Sequence, residues 1–421
     1  MQISAIKVVR DTSLSLGLNL TVRAAGALIF IALGRLGSTS DAGTFSLAVG
    51  FLAILTTLFV GVDDILVREV ARRPEHSWPI LATYGLMRIG LCLAAWLALI
   101  IVLAALSIYS TPDLLVIIVI TSSILLDSFS ALAQSVFNAH HRFDWPFVAI
   151  FVGSAIELGV ALLALRRHAG LLVIAWASPI GALVTAIILI AAMSAYLRRW
   201  PWPKVWFEWE KALTLLRLVP AFAGSSLLSA FEYQLDVILL SVIVTRADVA
   251  EYSAAVTVML VVLTLSQAYR IVLYPLLVRS ISAHVAQARR LLGRSLLVMG
   301  GAALLAAAAI SLAAPVIVQL VFGDRFDVAA PILRVLIWNV VWFFLNVPMV
   351  RFMMAANGQN TVFRTLLVSL SVNVAANLFL IPRLGPLGSA YARLFSSGLF
   401  CIFMAWAVGR RLRQPKTVPV V

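Results

Sequence analysis

The chain is divided into twelve apolar runs, near residues 12–33, 43–65, 80–107, 112–137, 145–165, 171–196, 218–244, 250–276, 293–321, 329–353, 362–381 and 387–409. A helix needs about 20 such residues to cross a hydrocarbon core about 30 Å thick. No water reaches a backbone N–H or C=O in that core, so a spanning segment must close its own hydrogen bonds, and for runs of this length the helix does so. The expected fold is therefore all-α, a polytopic membrane protein with twelve transmembrane helices. The first run is not a cleavable signal peptide, because it is too long, carries Asn19 and Arg23 in its interior and lacks a small-residue cleavage pattern.

Charge supports the same reading. Only 12% of the 421 residues are charged, against about 25% in an ordinary soluble domain. The net charge of +14 would suggest nucleic acid in a soluble protein, but its distribution argues otherwise. With the N-terminus placed in the cytoplasm, the cytoplasmic segments hold 21 Lys and Arg, and the outer segments hold six: Arg35, Arg166, Arg167, Arg246, Arg325 and Arg383. This is the asymmetry of the positive-inside rule, so both termini are expected in the cytoplasm and no nucleic-acid partner is expected. Only Arg166, Arg167 and His168 run against it. Cys92 and Cys401 lie inside apolar runs and read as packing residues, with no disulfide framework and no metal site.

Two stretches repeat one another at an offset of 207: residues 38–49 (STSDAGTFSLAV) and 245–256 (TRADVAEYSAAV). Asp41 meets Asp248, Phe45 meets Tyr252, Ser46 meets Ser253 and Ala48 meets Ala255. A weaker match, FNAHHRFDW from Phe137 and MAANGQNTV from Met354, falls at an offset of 217. Each half thus contains six helices, and an even number of crossings makes the halves parallel repeats. The expected organisation is a six-helix lobe over 1–197, a linker over 198–217 and a second lobe over 218–421. The linker, RRWPWPKVWFEWEKALTLLR, mixes tryptophan with basic residues as the headgroup region favours, and reads as cytoplasmic and interfacial.

No Walker-type phosphate loop is present and no loop clusters His, Cys or carboxylates, so neither an ATP-driven pump nor an enzyme is indicated, and no catalytic residue is expected. The informative residues are the charges inside the spans, where each costs on the order of 3 kcal/mol and usually faces a cavity or a partner. Arg23 lies near the middle of the first run, too deep to reach the headgroups easily, with Asn19 one turn before it on the same face. Arg88 is about eight residues into the third run, where reaching the interface and lining a cavity are both open. Arg270, Arg334 and Arg393 stand five or six residues from their run ends, which favours reaching to the headgroups; all five arginines are cavity candidates.

Among the acids, Asp127 is central in the fourth run, with Ser123, Ser130 and Gln134 spaced along one helix face. Glu157 is central in the fifth, and Glu232 and Asp236 sit one turn apart in the seventh. Each acid is a candidate to carry a coupling proton or sodium ion, or to serve as the buried partner of an arginine. Asn339, Asn346, Asn373 and Asn377 read as interhelical glue.

At these residues the chain resembles the polysaccharide flippases of the multidrug/oligosaccharidyl-lipid/polysaccharide exporter superfamily. The stretches that carry the likeness are LGRLGSTSDAGTFSLA (33–48), DDILVREVAR (63–72), EYQLDVILLSVIVTRADVAEYSAA (232–255), FGDRFDVAAPILRVL (322–336) and LFLIPRLGPLGSAYA (378–392). The resemblance implies two six-helix lobes forming a MATE-like V around a central cavity, in a bacterial cytoplasmic membrane. It implies transport of a polyprenyl-diphosphate-linked saccharide to the outer leaflet, with cationic cavity residues receiving the diphosphate. By that likeness Arg23 takes a first-helix place in the cavity and Asp236 falls in the family's helix-seven Asp-x-x-Leu-Leu pattern. Partners implied are membrane lipids, the lipid-linked saccharide and polysaccharide-assembly enzymes. Peptidoglycan-precursor flippases commonly have fourteen spans, and the absence of two here argues against lipid II. The alternative is a drug or organic-cation antiporter driven by protons or sodium through Asp127, Glu157 or Glu232; it gains ground if Asp127 and Glu157 neutralise Arg23 and Arg88. A membrane enzyme such as a glycan ligase would want a sizeable outer loop, and none exceeds about ten residues.

Overall fold

The computed structural model describes residues 5–198, 207–283 and 285–413. Every regular element among them is helical. The chain divides into two compact units, Met1–Gln234 and Leu235–Val421. The first holds α1 (Ala5–Leu36), α2 (Thr39–Leu58), α3 (Val60–Arg72), a 3₁₀ turn (Pro74–His76), α4 (Ser77–Leu106), α5 (Thr111–Ala139), α6 (Asp144–Arg166), α7 (Leu171–Ala175) and α8 (Ala177–Leu197). The division falls inside α9 (Trp209–Ile243). The second unit continues with α10 (Arg246–Ala283), α11 (Val285–Phe322), α12 (Ala329–Leu336), α13 (Asn339–Ala355), α14 (Gln359–Leu384) and α15 (Pro386–Arg413).

Ten helical segments among the described residues are long and apolar enough to cross a membrane, so the chain is a multi-pass membrane protein. The first and seventh apolar runs lie in α1 and α9, helices of 32 and 35 residues whose side chains are described in part. Three runs are broken into two helices each, and local chemistry explains two of the breaks. Before Phe59, the hydroxyls of Thr56 and Thr57 both bond the Ala53 carbonyl, at 3.1 and 2.6 Å, competing with the backbone for that acceptor. After Trp176, Pro179 in the first turn of α8 cannot continue α7, because it lacks an N–H and its ring meets the carbonyl four residues back. The third break separates α12 from α13.

Residues 199–206 of the expected linker lie outside the described residues. Its later part is helical from Trp209, and the Glu208 N–H donates to the Thr83 hydroxyl of α4 at 3.0 Å, fixing that end on the first unit.

The repeated stretches are helix boundaries. At the start of α2 the Ser38 hydroxyl accepts from the Asp41 N–H at 3.0 Å, and at the start of α10 the Thr245 hydroxyl accepts from the Asp248 N–H at 3.3 Å. These are the same N-cap at the same offset, satisfying a donor the helix leaves open. The second match is a helix stop. His141 and Asn357 both take the left-handed conformation (φ 53 and 55). The Arg142 N–H reaches the Phe137 carbonyl at 2.8 Å, and the Gly358 N–H reaches the Met353 carbonyl at 2.7 Å, the six-residue closure of a Schellman cap. The bonding register puts this offset at 216, one less than the sequence match.

In the first unit α5 is the hub, packed against α2, α3, α4 and α8; in the second, α13 packs against α10, α11 and α15. Leu132 and Val136 of α5 join Val62, Ile65 and Leu66 of α3 and Ile80 and Tyr84 of α4 in one buried cluster. Met349, Phe352 and Met353 of α13 join Leu273, Leu292, Phe400 and Met404 in another. Helices α6 and α8 meet backbone to backbone: a Cβ on Gly181 would stand 2.9 Å from the Gly153 carbonyl and 2.7 Å from the Glu157 Cβ. Small residues are what permit such an approach between membrane helices. Replacing Gly153 with leucine overpacks this seam and should destabilise the first unit by about 1–3 kcal/mol, read as a lowered thermal midpoint of the purified protein in detergent; an unchanged midpoint would contradict the close packing.

Candidate functional site

The polar residues of α5 recur at intervals of three and four: Ser123, Asp127, Ser130, Gln134 and Asn138. That spacing places them on one face, and at 1.5 Å per residue the stripe runs about 22 Å along the helix. The structure turns the whole stripe toward a cavity of about 620 Å³ inside the first unit, within the range of ligand pockets. Arg23 and Gly26 of α1, Phe45 and Thr56 of α2, Glu157 of α6, and Ser178 and Thr185 of α8 complete its wall, with Asp63 and Arg88.

Arg88 is 3% exposed and its fork is already occupied. Its Nε and Nη2 donate to the two Asp63 oxygens at 2.5 and 3.0 Å, a bidentate pair. Nη1 lies 3.8 Å from the Cys92 sulfur, and the guanidinium stands 5.7 Å from the centre of the Phe59 ring. Asp63 was not among the residues singled out from the sequence. The signal was there, since Asp63 and Arg88 stand 12 and 13 residues either side of Glu75 in the 3₁₀ turn between α3 and α4, so they reach equal depth on antiparallel helices.

The other charges facing the cavity have no such partner. Among the described residues Arg23, which is exposed, makes no ion pair or hydrogen bond. Asp127 makes none either, and Glu157 stands beside the Ser178 hydroxyl, close enough to Asp127 for the two carboxyls to repel. Ser130 is 2% exposed, and its hydroxyl has no hydrogen-bond partner among the described residues. Burying such a group without a partner costs about 1–3 kcal/mol. Neither Asp127 nor Glu157 neutralises an arginine by contact. The five charged groups are two guanidinium and three carboxyl groups, so the cavity is not the arginine-lined space that counting arginines along the chain suggests.

The second unit treats its buried charges differently. Asp236 is 2% exposed and accepts three hydrogen bonds: from Arg393 Nη1 at 2.7 Å, Tyr252 Oη at 2.9 Å and Asn377 Nδ2 at 2.9 Å. Asn377 also donates to Asn373 Oδ1 at 3.1 Å, and Asn373 donates to the Ser396 hydroxyl at 3.2 Å. Arg393, whose distance from its run end favoured the headgroups, is instead 5% exposed and paired. Asn373 and Asn377 tie α14 to α15 and α9, and Asn339 reaches the Met259 sulfur at 3.9 Å. Arg334 is exposed, and Glu232 is half-buried. The side chains of Asn19 and Arg270 lie outside the described residues.

Removing one member of a buried ion pair leaves the other uncompensated, at about 3–5 kcal/mol, whereas removing both together costs far less. Arg393→Met should therefore lower the thermal midpoint of the purified protein sharply, and adding Asp236→Asn should restore much of it. A double variant no more stable than Arg393→Met would contradict the pairing.

The family model described as "Polysaccharide biosynthesis protein" matches residues 8–281, more than half of the chain, so the chain belongs to that family. No curated protein gives a significant match. Among solved structures, the fold is similar to that of a multidrug resistance MATE family transporter of the MOP superfamily in an inward-facing conformation, with a TM-score of 0.75, 14% identity, and 96% of this chain and 99% of that one covered. It is also similar to the lipid II flippase MurJ in an inward closed conformation, with a TM-score of 0.71, 12% identity, and 94% and 87% covered. A MATE transporter of Vibrio cholerae gives a TM-score of 0.62 at 17% identity, with 97% of each chain covered. At these identities the likeness is one of fold.

Proposed function

We propose that this member of the polysaccharide biosynthesis family is a transporter that moves a polyprenyl-diphosphate-linked oligosaccharide from the cytoplasmic to the outer leaflet of a bacterial cytoplasmic membrane, by alternating access. The observation that carries the reading is the cavity of the first unit, with the unpaired Arg23 on one wall and the open polar stripe of α5 on another. A guanidinium group can take two phosphate oxygens at once. Hydroxyl and amide groups along about 22 Å of helix suit sugar hydroxyls, while the lipid tail stays in the bilayer. The distribution of Lys and Arg supports cytoplasmic termini.

In this reading the moving parts are two six-helix lobes, 1–197 and 218–421, joined by 198–217, and the noncovalent chemistry requires no catalytic residue. Movement against a gradient draws on protons or sodium ions. Arg270 and Arg334 are assigned to the headgroup region, and Arg393 to the internal pair with Asp236. Partners are the membrane lipids, the lipid-linked saccharide and the enzymes that build and consume it.

A second reading is an organic-cation antiporter, in which a ligand cation takes the place between Asp127 and Glu157; that neither acid neutralises an arginine by contact counts against it. Two outcomes separate the readings. Arg23→Ala should abolish export of the glycan while leaving the protein at its normal level in the membrane, measured as surface polysaccharide and by immunoblot. Normal export by that variant would remove Arg23 from the site, and unchanged glycan with new drug sensitivity would favour the antiporter.

A further inference from the structure

The charges on the cavity wall constrain which saccharide it can carry. Of the elements that line it, α1 contributes Arg23, α3 and α4 contribute Asp63 and Arg88, α5 contributes Asp127 and α6 contributes Glu157. The residues of α2 and α8 on the wall are uncharged. The Arg88 fork is filled by Asp63, and the pair is neutral. What remains is one guanidinium group without an ion pair and two carboxyls that make no ion pair among the described residues, Asp127 feeling Arg88 only at a distance.

A diphosphate brings negative charge, and among the described residues of the wall Arg23 is the cation free to meet it. A saccharide carrying a carboxylate would then have no cation left to pair with among the described residues of the wall and would lie against Asp127 and Glu157. Two carboxyls that repel one another hold one negative charge more readily than two, and a carboxylate 4 Å from that charge is repelled by about 4 kcal/mol at the effective dielectric typical of protein surfaces, enough to disfavour such a ligand. A free amino group on a sugar would instead stand between two carboxyls that repel one another. The rest of the wall is neutral, and Gln134 and Asn138 continue the stripe of α5 along it.

We propose that the saccharide this protein carries contains no acidic sugar, being neutral or bearing a free amino group, and that Asp127 and Glu157 are the residues that exclude acidic glycans. The proposal rests on the flippase reading above. Positive selection by two carboxyls and rejection by the same two are one device, since specificity is a difference between affinities and repulsion contributes to it as much as attraction.

The test uses the full-length protein in vesicles without an ion gradient, with three polyprenyl-diphosphate probes identical except for one sugar: glucose, glucosamine or glucuronic acid. The expected result is that the glucose and glucosamine probes cross at comparable rates and the glucuronic acid probe at least tenfold more slowly. In the Asp127→Asn, Glu157→Gln double variant that ratio should shrink to within about threefold, because tenfold corresponds to about 1.4 kcal/mol and the repulsion removed exceeds it. Using the ratio of probes within one preparation cancels any loss of folded protein. Equal rates for the glucuronic acid and glucose probes in the unaltered protein would overturn the inference alone. An unchanged ratio in the double variant would overturn the assignment to these two residues, as would loss of all transport, which would make the acids carriers of a coupling ion rather than selectors. Failure of the unaltered protein to move any probe would overturn the flippase reading and this inference with it.

Discussion

Everything in this molecule depends on the scarcity of hydrogen-bond partners inside a bilayer. Helices meet that condition for the backbone, because each closes its own bonds where water cannot. Side chains must meet it another way, either by pairing inside the protein or by opening onto a wet cavity. The two units answer differently. In the second, Asp236, Arg393, Tyr252, Asn377 and Asn373 satisfy one another in a buried network. In the first, Asp127, Ser130, Gln134 and Glu157 are left facing a cavity, beside an arginine with no described partner. A closed network holds helices together, and an open one invites a ligand.

The internal repeat makes this contrast sharper, since both units are built from the same parts. The N-caps at Ser38 and Thr245, the left-handed stops at His141 and Asn357, and the hub helices α5 and α13 correspond. The polar chemistry does not. Phe45 faces the cavity, while its counterpart Tyr252 adds the hydroxyl that donates to Asp236; Asp236 itself corresponds to the buried Ile29. On the hub helices, Ser123 and Ser130 correspond at the bonding offset to Asn339 and Asn346, but Asp127 corresponds to Phe343. A shared scaffold thus carries a polar cavity wall in one unit and an internal lock in the other.

How far the sequence reaches is set by the range of the interactions involved. Helical spans were legible because hydropathy is a local property, and so was the α5 stripe, whose period of three and four lies within one helix. The caps were legible as repeats, though the stop was displaced by one residue, because a cap is defined by backbone bonding and not by side-chain identity. The Asp63–Arg88 pair was within reach through its symmetry about the Pro74–His76 turn. The Asp236–Arg393 pair was not, since it joins residues 157 apart through tertiary packing. For the same reason, distance along a helix misplaced Arg393, and counting arginines within spans overstated the free positive charge: Arg88 pairs with Asp63 and Arg393 with Asp236.

The central claim is that the open cavity of the first unit serves movement of a lipid-linked saccharide across the membrane. The most direct measurement is the fate of that lipid when the gene is removed, followed by leaflet-specific labelling of intact cells and inverted vesicles. This account predicts an undecorated surface with the lipid-linked glycan accumulating in the cytoplasmic leaflet. Unaltered surface glycan, with the lipid carrier distributed as before, would contradict it.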